Sequence, residues 1–193
     1  MIREIVHYDA PVLRAKGREV GPITPEIKSL VEDLFDTMRD ARGVGLAAQQ
    51  IGKALQLAVI DITGVKERPS KMWIDGVPVN PEEHMPLVLI NPVLKPTKTK
   101  VVSHEGCLSF PGLTIDVARA QRVAVKTRTL DGGTFEFDAG GLLGRAVLHE
   151  TDHLHGKLFI DLLSAEDRRA IREDLEYIKR GEPIPERPDE NHS

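Results

Sequence analysis

The sequence predicts an α+β domain. Antiparallel or mixed β-sheets are expected to pack around a central helix carrying two histidines, with one helix near the N-terminus and another near the C-terminus. Three observations point there. Apolar residues recur at helical spacing in three well-separated stretches. Between them lie alternating or continuous apolar runs bounded by Gly, Pro and Asp. The helical stretch around His149 is apolar on much of its surface, so it should cross the interior while sheets cover it.

Thr24-Pro25 starts the first helix with a cap and a proline at the first helical position. Ile27, Leu30, Val31, Leu34 and Met38 follow on one face, and Gly43 stops the helix. Leu55 to Ile60 reads as a strand, and Leu87 to Ile90 as another. The intervening Thr63 to Pro86 has little periodicity and reads as a long surface loop or a hairpin insertion. Val123, Val125, Thr127 and Thr129 alternate, and Phe135 and Phe137 resume the alternation after Asp131-Gly132-Gly133, a β-hairpin with a glycine-bearing turn. After Gly140-Gly141 a helix runs to Gly156 and carries Leu142, Ala146, Leu148, His149 and His153. Ser164 caps a last helix with Ile171, Leu175 and Ile178 as its apolar stripe. Residues 1–181 are expected to form one domain, and the Pro- and charge-rich 182–193 a flexible tail.

A chain of 193 residues, 40% hydrophobic and 29% charged, suits one well-buried core. No apolar run is long enough to span a membrane, and the first residues lack the apolar core of a signal peptide, so a cytoplasmic location is expected. A net charge of −4 without a basic block argues against DNA binding. The single cysteine, Cys107, excludes an internal disulfide.

His149-Glu150-Thr151-Asp152-His153 carries the chemistry. Two histidines four apart stand on one helical face, so both rings can reach one metal ion. Glu150 between them is placed as a general base beside a metal-activated water. A catalytic site of this kind needs a third protein ligand. His155 points away from the pair on an ideal helix, and His104 is a weak candidate. Cys107 is the better one, because a thiolate is a strong ligand for iron(II) or zinc and Gly106 lets the backbone come close. A third segment, Gly43-Val44-Gly45-Leu46-Ala47-Ala48-Gln49-Gln50, permits close packing and ends in an amide, Gln50, able to donate a hydrogen bond. By itself it reads as a tight turn between helices.

Taken together, that segment, Glu105-Gly106-Cys107-Leu108-Ser109 and His149-Glu150-Thr151-Asp152-His153-Leu154-His155-Gly156 resemble the three signatures of the peptide deformylases, in the family's order. The resemblance runs from about Val6 to about Phe159. It implies hydrolytic removal of formate from the N-formylmethionine of newly made polypeptides, with Cys107, His149 and His153 as ligands of one divalent ion. Iron(II) is the ion the family points to, while zinc, nickel or cobalt also suit this donor set. It further implies that Gln50 and the Leu108 N–H stabilise the oxyanion, and that contact with the ribosome is transient. Val44, Gly45, Gly106, Leu142, Arg145 and Ala146 are expected to bind substrate, with the peptide paired in extended form on Val44 and Gly106. The stem of Arg145 would line a methionine pocket while its charge reaches solvent. Glu105 and Arg119 are expected to pair. Leu148 stands where many members have Gln, and Thr63 to Pro86 exceeds the length in compact members. A thermolysin-like protease and a noncatalytic metal-binding module are the competing readings; the upstream Cys107 and Gln50 segments count against the first.

Overall fold

Thr24 Oγ1 accepts the Ile27 N–H at 3.3 Å and opens helix α1, Pro25–Asp40. In the computed structural model, which describes residues 1–187, nine strands and three more α-helices follow. These are β1 (Gly45–Ala47), β2 (Leu57–Ile60), β3 (Ser70–Ile74), β4 (Val77–Val79), β5 (Leu87–Pro96), β6 (Lys100–Gly106), β7 (Thr114–Ala120), β8 (Arg122–Arg128), β9 (Thr134–Gly140), α2 (Gly141–Leu154), α3 (Ala165–Ala170) and α4 (Arg172–Lys179). Seven strands form one antiparallel sheet in the order β1-β2-β5-β8-β9-β3-β4, and β6 pairs with β7 in a separate two-stranded sheet.

The period of two along β2 decides what packs on each side of the large sheet. Leu57 and Val59 join Leu46 and Ile90 against Val31, Leu34, Phe35 and Met38 of α1. Ala58 and Ile60 join Val125, Phe137 and Ala139 against Leu143, Ala146 and Val147 of α2. All four residues of β2 are therefore buried, which is why it reads as a continuous apolar run. A third cluster joins Phe110, Val117 and Phe159 to Ile171 and Ile178, and so fastens the C-terminal helices to the β6–β7 hairpin.

Helix α2 leaves the sheet through Gly141, whose φ of +60° favours glycine. A Cβ there would collide with the Pro69 carbonyl oxygen. The helix is buried along almost its whole length, as expected of a central helix. Leu148, the departure from the family pattern, is half-buried against the core on its sheet side.

Of the two readings of Thr63 to Pro86, the hairpin insertion is the one found: β3 and β4 form a hairpin across Asp75 and Gly76, both with positive φ, and β3 pairs with β9. Several other expectations need correction. Gly43 to Gln50 does not link two helices; it holds the short β1 and a 3₁₀ turn, Ala48–Ile51. The last helix is broken at Ile171 into α3 and α4, although its stripe is buried as expected at Ile171 and Ile178. Strand β2 is shorter than expected and β5 longer. Of the tail expected over 182–193, residues 188–193 lie outside the described residues. Over 182–187 there is no regular element, yet Ile184 packs on the third cluster and Arg187 pairs with Asp174 at 2.7 Å.

Candidate active site and metal centre

The β6–β7 hairpin delivers the thiol. Strand β6 ends at Gly106, and Cys107 follows in a turn closed by Phe110 N–H donating to the Cys107 carbonyl at 2.8 Å. His149 and His153, one turn apart on α2, stand with ring centroids 5.0 Å apart. Cys107 Sγ lies 3.4 Å from His153 Nε2, and one donor atom from each of Cys107, His149 and His153 lies within 4.8 Å of the other two. The lone sulfur and the helical imidazole pair are thus brought together from positions some forty residues apart in sequence. His104 faces Asp116 at 2.8 Å on the exposed side of the hairpin, and the exposed His155 ends α2; neither joins the cluster.

Glu105 organises this centre. It accepts from Arg119 through Nε at 2.7 Å and a terminal nitrogen at 2.9 Å, from Arg145 at 2.7 Å and from His149 Nδ1 at 2.7 Å. Arg119 also reaches Asp152 at 2.7 Å, so the expected Glu105–Arg119 pair is one part of a buried five-residue network. Burial alone would raise the Glu105 carboxyl; hydrogen bonds from His149 and Arg119 outweigh it and hold the group well below the usual range. Binding Nδ1 to a carboxylate fixes the ring of His149 and leaves Nε2 free to face the sulfur. For His149, burial disfavours the charged form, but the bonds to Cys107 and Glu105 raise its pKa overall; for His153, burial lowers it.

Arg145 differs from expectation. Its guanidinium does not reach solvent but is buried, donating to Glu105 and, at 2.8 Å each, to the Val101 and Val117 carbonyls. Only a buried carboxylate and two strand carbonyls satisfy so many donors away from water.

Glu150 is buried, and that burial pushes its carboxyl up to about 7. Its Oε2 has no hydrogen-bond partner among the described residues. The side chain lies directly over Gly45. Gln50 is held from the other side: its Oε1 accepts the Ala47 N–H at 2.9 Å, and its Nε2 points to Ser109 Oγ at 3.2 Å and Cys107 Sγ at 3.5 Å. Leu108 N–H donates to no protein acceptor among the described residues.

A cavity of about 520 Å³ opens on this centre. Val44, Gly45, Gly106, Leu142, Arg145 and Ala146 all border it together with Cys107, His149 and Glu150. Arg68 borders it too, and sequence reasoning missed it because it lies in the aperiodic insertion. A larger cavity of about 660 Å³ lies alongside, away from the histidines.

The donor set fits a metal ion. One soft sulfur and two imidazole nitrogens converge in a buried pocket, one ring is oriented by a carboxylate, and an unpartnered carboxylate oxygen sits beside them. Such a trio suits iron(II), zinc, nickel or cobalt and leaves a coordination position for water or substrate.

The chain is similar to known proteins over most of its length. The sequence model of the polypeptide deformylase family matches residues 2–169. A peptide deformylase of Methylacidiphilum infernorum is 56% identical over 184 residues, covering 95% of this chain and 96% of the relative. The crystal structure of a peptide deformylase from Legionella pneumophila superposes with a TM-score of 0.78 at 39% identity, covering 93% of this chain and 96% of the other. That of Plasmodium falciparum superposes with a TM-score of 0.79 at 30% identity, covering 92% and 95%.

Proposed function

Because this chain belongs to the peptide deformylase family, and so is a metal-dependent hydrolase that removes the N-formyl group from nascent polypeptides, we propose that Cys107, His149, His153 and Glu150 are the residues that do it. The observation that carries this reading is the convergence of the Cys107 sulfur with the two imidazoles beside the buried Glu150. A divalent ion held by Cys107, His149 and His153, which we take to be iron(II), would polarise the formyl carbonyl and lower the pKa of water.

Glu150 is the general base and then the general acid. It takes a proton from the attacking water and delivers it to the departing amine nitrogen as the C–N bond breaks. A carboxyl raised to about 7 by burial has access to both states near neutral pH, and a cation beside it would shift the balance toward the carboxylate. Gln50 Nε2 and the uncommitted Leu108 N–H meet the negative charge that develops on the formyl oxygen. Glu105 fixes the His149 ring and lets Arg119 and Arg145 lie buried without free charge.

Val44 and Gly106 flank the cavity and pair with the extended peptide backbone, an arrangement that would tolerate many downstream sequences. Leu142 and Ala146, with the stem of Arg145, receive the methionine side chain, and Gly45 lets the formyl end approach Glu150. The formylated nascent chain is the partner, met in the cytoplasm through transient ribosome contact and without DNA. No helix among the described residues is long and apolar enough to cross a membrane. The Cys107 and Gln50 segments, which a thermolysin-like protease does not need, favour deformylation over cleavage of internal peptide bonds. Purification without oxygen, metal analysis, and assay of formate release from formyl-Met peptides beside blocked internal peptides test the whole reading. Equimolar iron with formate release supports it; cleavage of the blocked peptides instead would refute it.

A further inference from the structure

We propose that the insertion between Thr63 and Pro86 builds a subsite for acidic side chains of the nascent polypeptide downstream of its formylmethionine, with Arg68 and Lys71 as the recognising cations. The inference rests on the active-site reading above and extends it to a cavity that the chemistry does not use.

The cavity of about 660 Å³ adjoins the catalytic one: Arg68, Leu142 and Arg145 border both. The insertion supplies one wall through Arg68, Lys71 and Trp73, and Arg122 at the start of β8 supplies part of another. Four cationic side chains therefore line it, with Glu67 as the acidic neighbour. Two of the four are spent. Arg145 is bound to Glu105, and Arg122 is bound to Asp138 at 2.7 Å while lying 3.9 Å over the Trp73 ring. Among the described residues, neither Arg68 nor Lys71 enters an ion pair; the Arg68 guanidinium donates only to Ser103 Oγ, at 3.2 Å.

Two uncommitted cations in a concave, partly apolar site focus a positive potential on whatever passes. An extended peptide advances roughly 3.3 Å per residue, so a chain leaving the catalytic cavity past Arg68 meets this one within its first several residues. A ribosomal phosphate backbone is the less suitable occupant. Binding it requires a broad basic footprint, whereas this chain carries a net charge of −4 and offers two free cations here.

The test uses the metal-loaded protein and formyl-Met hexapeptides with Glu, Gln or Lys placed in turn at the third to sixth position. Formate release gives kcat/KM. At one or more positions Glu should exceed its isostere Gln by about two- to fivefold, mostly through KM, and the excess should shrink in high salt. The ratio should fall to about one in the Arg68→Ala/Lys71→Ala double variant and invert toward Lys in Arg68→Glu, while Arg68→Lys keeps part of it. A ratio of one at all four positions in the unaltered protein overturns the proposal, as does a ratio that survives in the double variant. Indifference to peptide charge, with binding of a ribosomal RNA oligonucleotide that the double variant loses, replaces the peptide by a phosphate backbone. Formate release that ignores charge sinks the subsite alone; no release from any peptide sinks the active-site reading with it.

Discussion

Glu150 rests on the bare backbone of Gly45: a Cβ on that glycine would stand 2.7 Å from Glu150 Oε1 and 2.9 Å from its Cγ. Glycine at 45 is therefore a requirement of the carboxylate and not only of the β1 backbone. Gly45→Ala should displace Glu150 while leaving the three ligands in place. A misplacement on the scale of an ångström can cost on the order of 100-fold in rate, so kcat should fall by about that factor with metal content unchanged. Undiminished kcat in the alanine variant would show that Glu150 tolerates the shift.

Glu150→Gln keeps the shape and removes the base. The loss expected of a positioned acid–base group is about 10²- to 10⁴-fold in kcat. Metal analysis and thermal melting should match the parent protein. A variant retaining most of its turnover would take proton transfer away from Glu150.

Gln50→Ala removes a donor aimed at Cys107 and Ser109 from within hydrogen-bond range. Loss of one oxyanion donor costs about 10²- to 10³-fold in kcat, and KM for a formyl-Met peptide should move far less. The kcat and KM of the purified variant, read beside its metal content, separate this role from ligand support.

Glu105→Gln leaves Arg119 and Arg145 buried without the carboxylate that both share. Breaking a buried pair from one side costs roughly 3–5 kcal/mol, and a group that orients a ligand histidine is worth about 10- to 100-fold in metal affinity. Denaturant titration should show the first and competition with a chelator the second. Unchanged metal affinity would mean that the Glu105 bond to His149 does not govern the centre.

Asp161 gives a pH dependence away from the metal. Burial alone would raise its carboxyl, but Arg14 at 2.6 Å and the Leu158 N–H outweigh it and hold the group below the usual aspartate range. A depressed folded-state pKa contributes stability above the unfolded value and loses it as pH falls through the folded one. The pair is partly solvated, so Asp161→Asn should cost no more than about 1 kcal/mol at neutral pH. That gap should close as the pH is lowered below about 4. Denaturant midpoints of both proteins from pH 7 to pH 3 check the sign; a gap that widens on acidification contradicts it.

Elements with a strong period are legible in the sequence. The Thr24 cap, the α1 stripe, the β8–β9 alternation and the buried run of α2 each encode local structure and the face that is buried. The β6–β7 hairpin was not, because its exposed positions include Val101 and Val102 while its buried ones include Glu105 and Arg119, inverting the pattern that marks a strand. The Asp75-Gly76 turn was a readable hairpin signal, but the charged and Pro-containing strands around it carry no alternation. The burial of Arg145 is not legible for a related reason: a lone arginine suggests solvent, and only the distant Glu105 and two carbonyls make its burial tolerable.

The order of the signatures in the chain, the donor types and the one-turn spacing of His149 and His153 are properties of the covalent sequence, and they sufficed for the reaction class. Folding alone determined that Glu105 serves three partners at once, that Glu150 sits on Gly45, and that, among the described residues, Arg68 and Lys71 enter no ion pair beside the cavity that Glu150 borders. Local periodicity records which face of an element is covered. The choice of partner for a buried charge depends on which remote segments the packing brings within 3 Å, and no window of sequence contains that information.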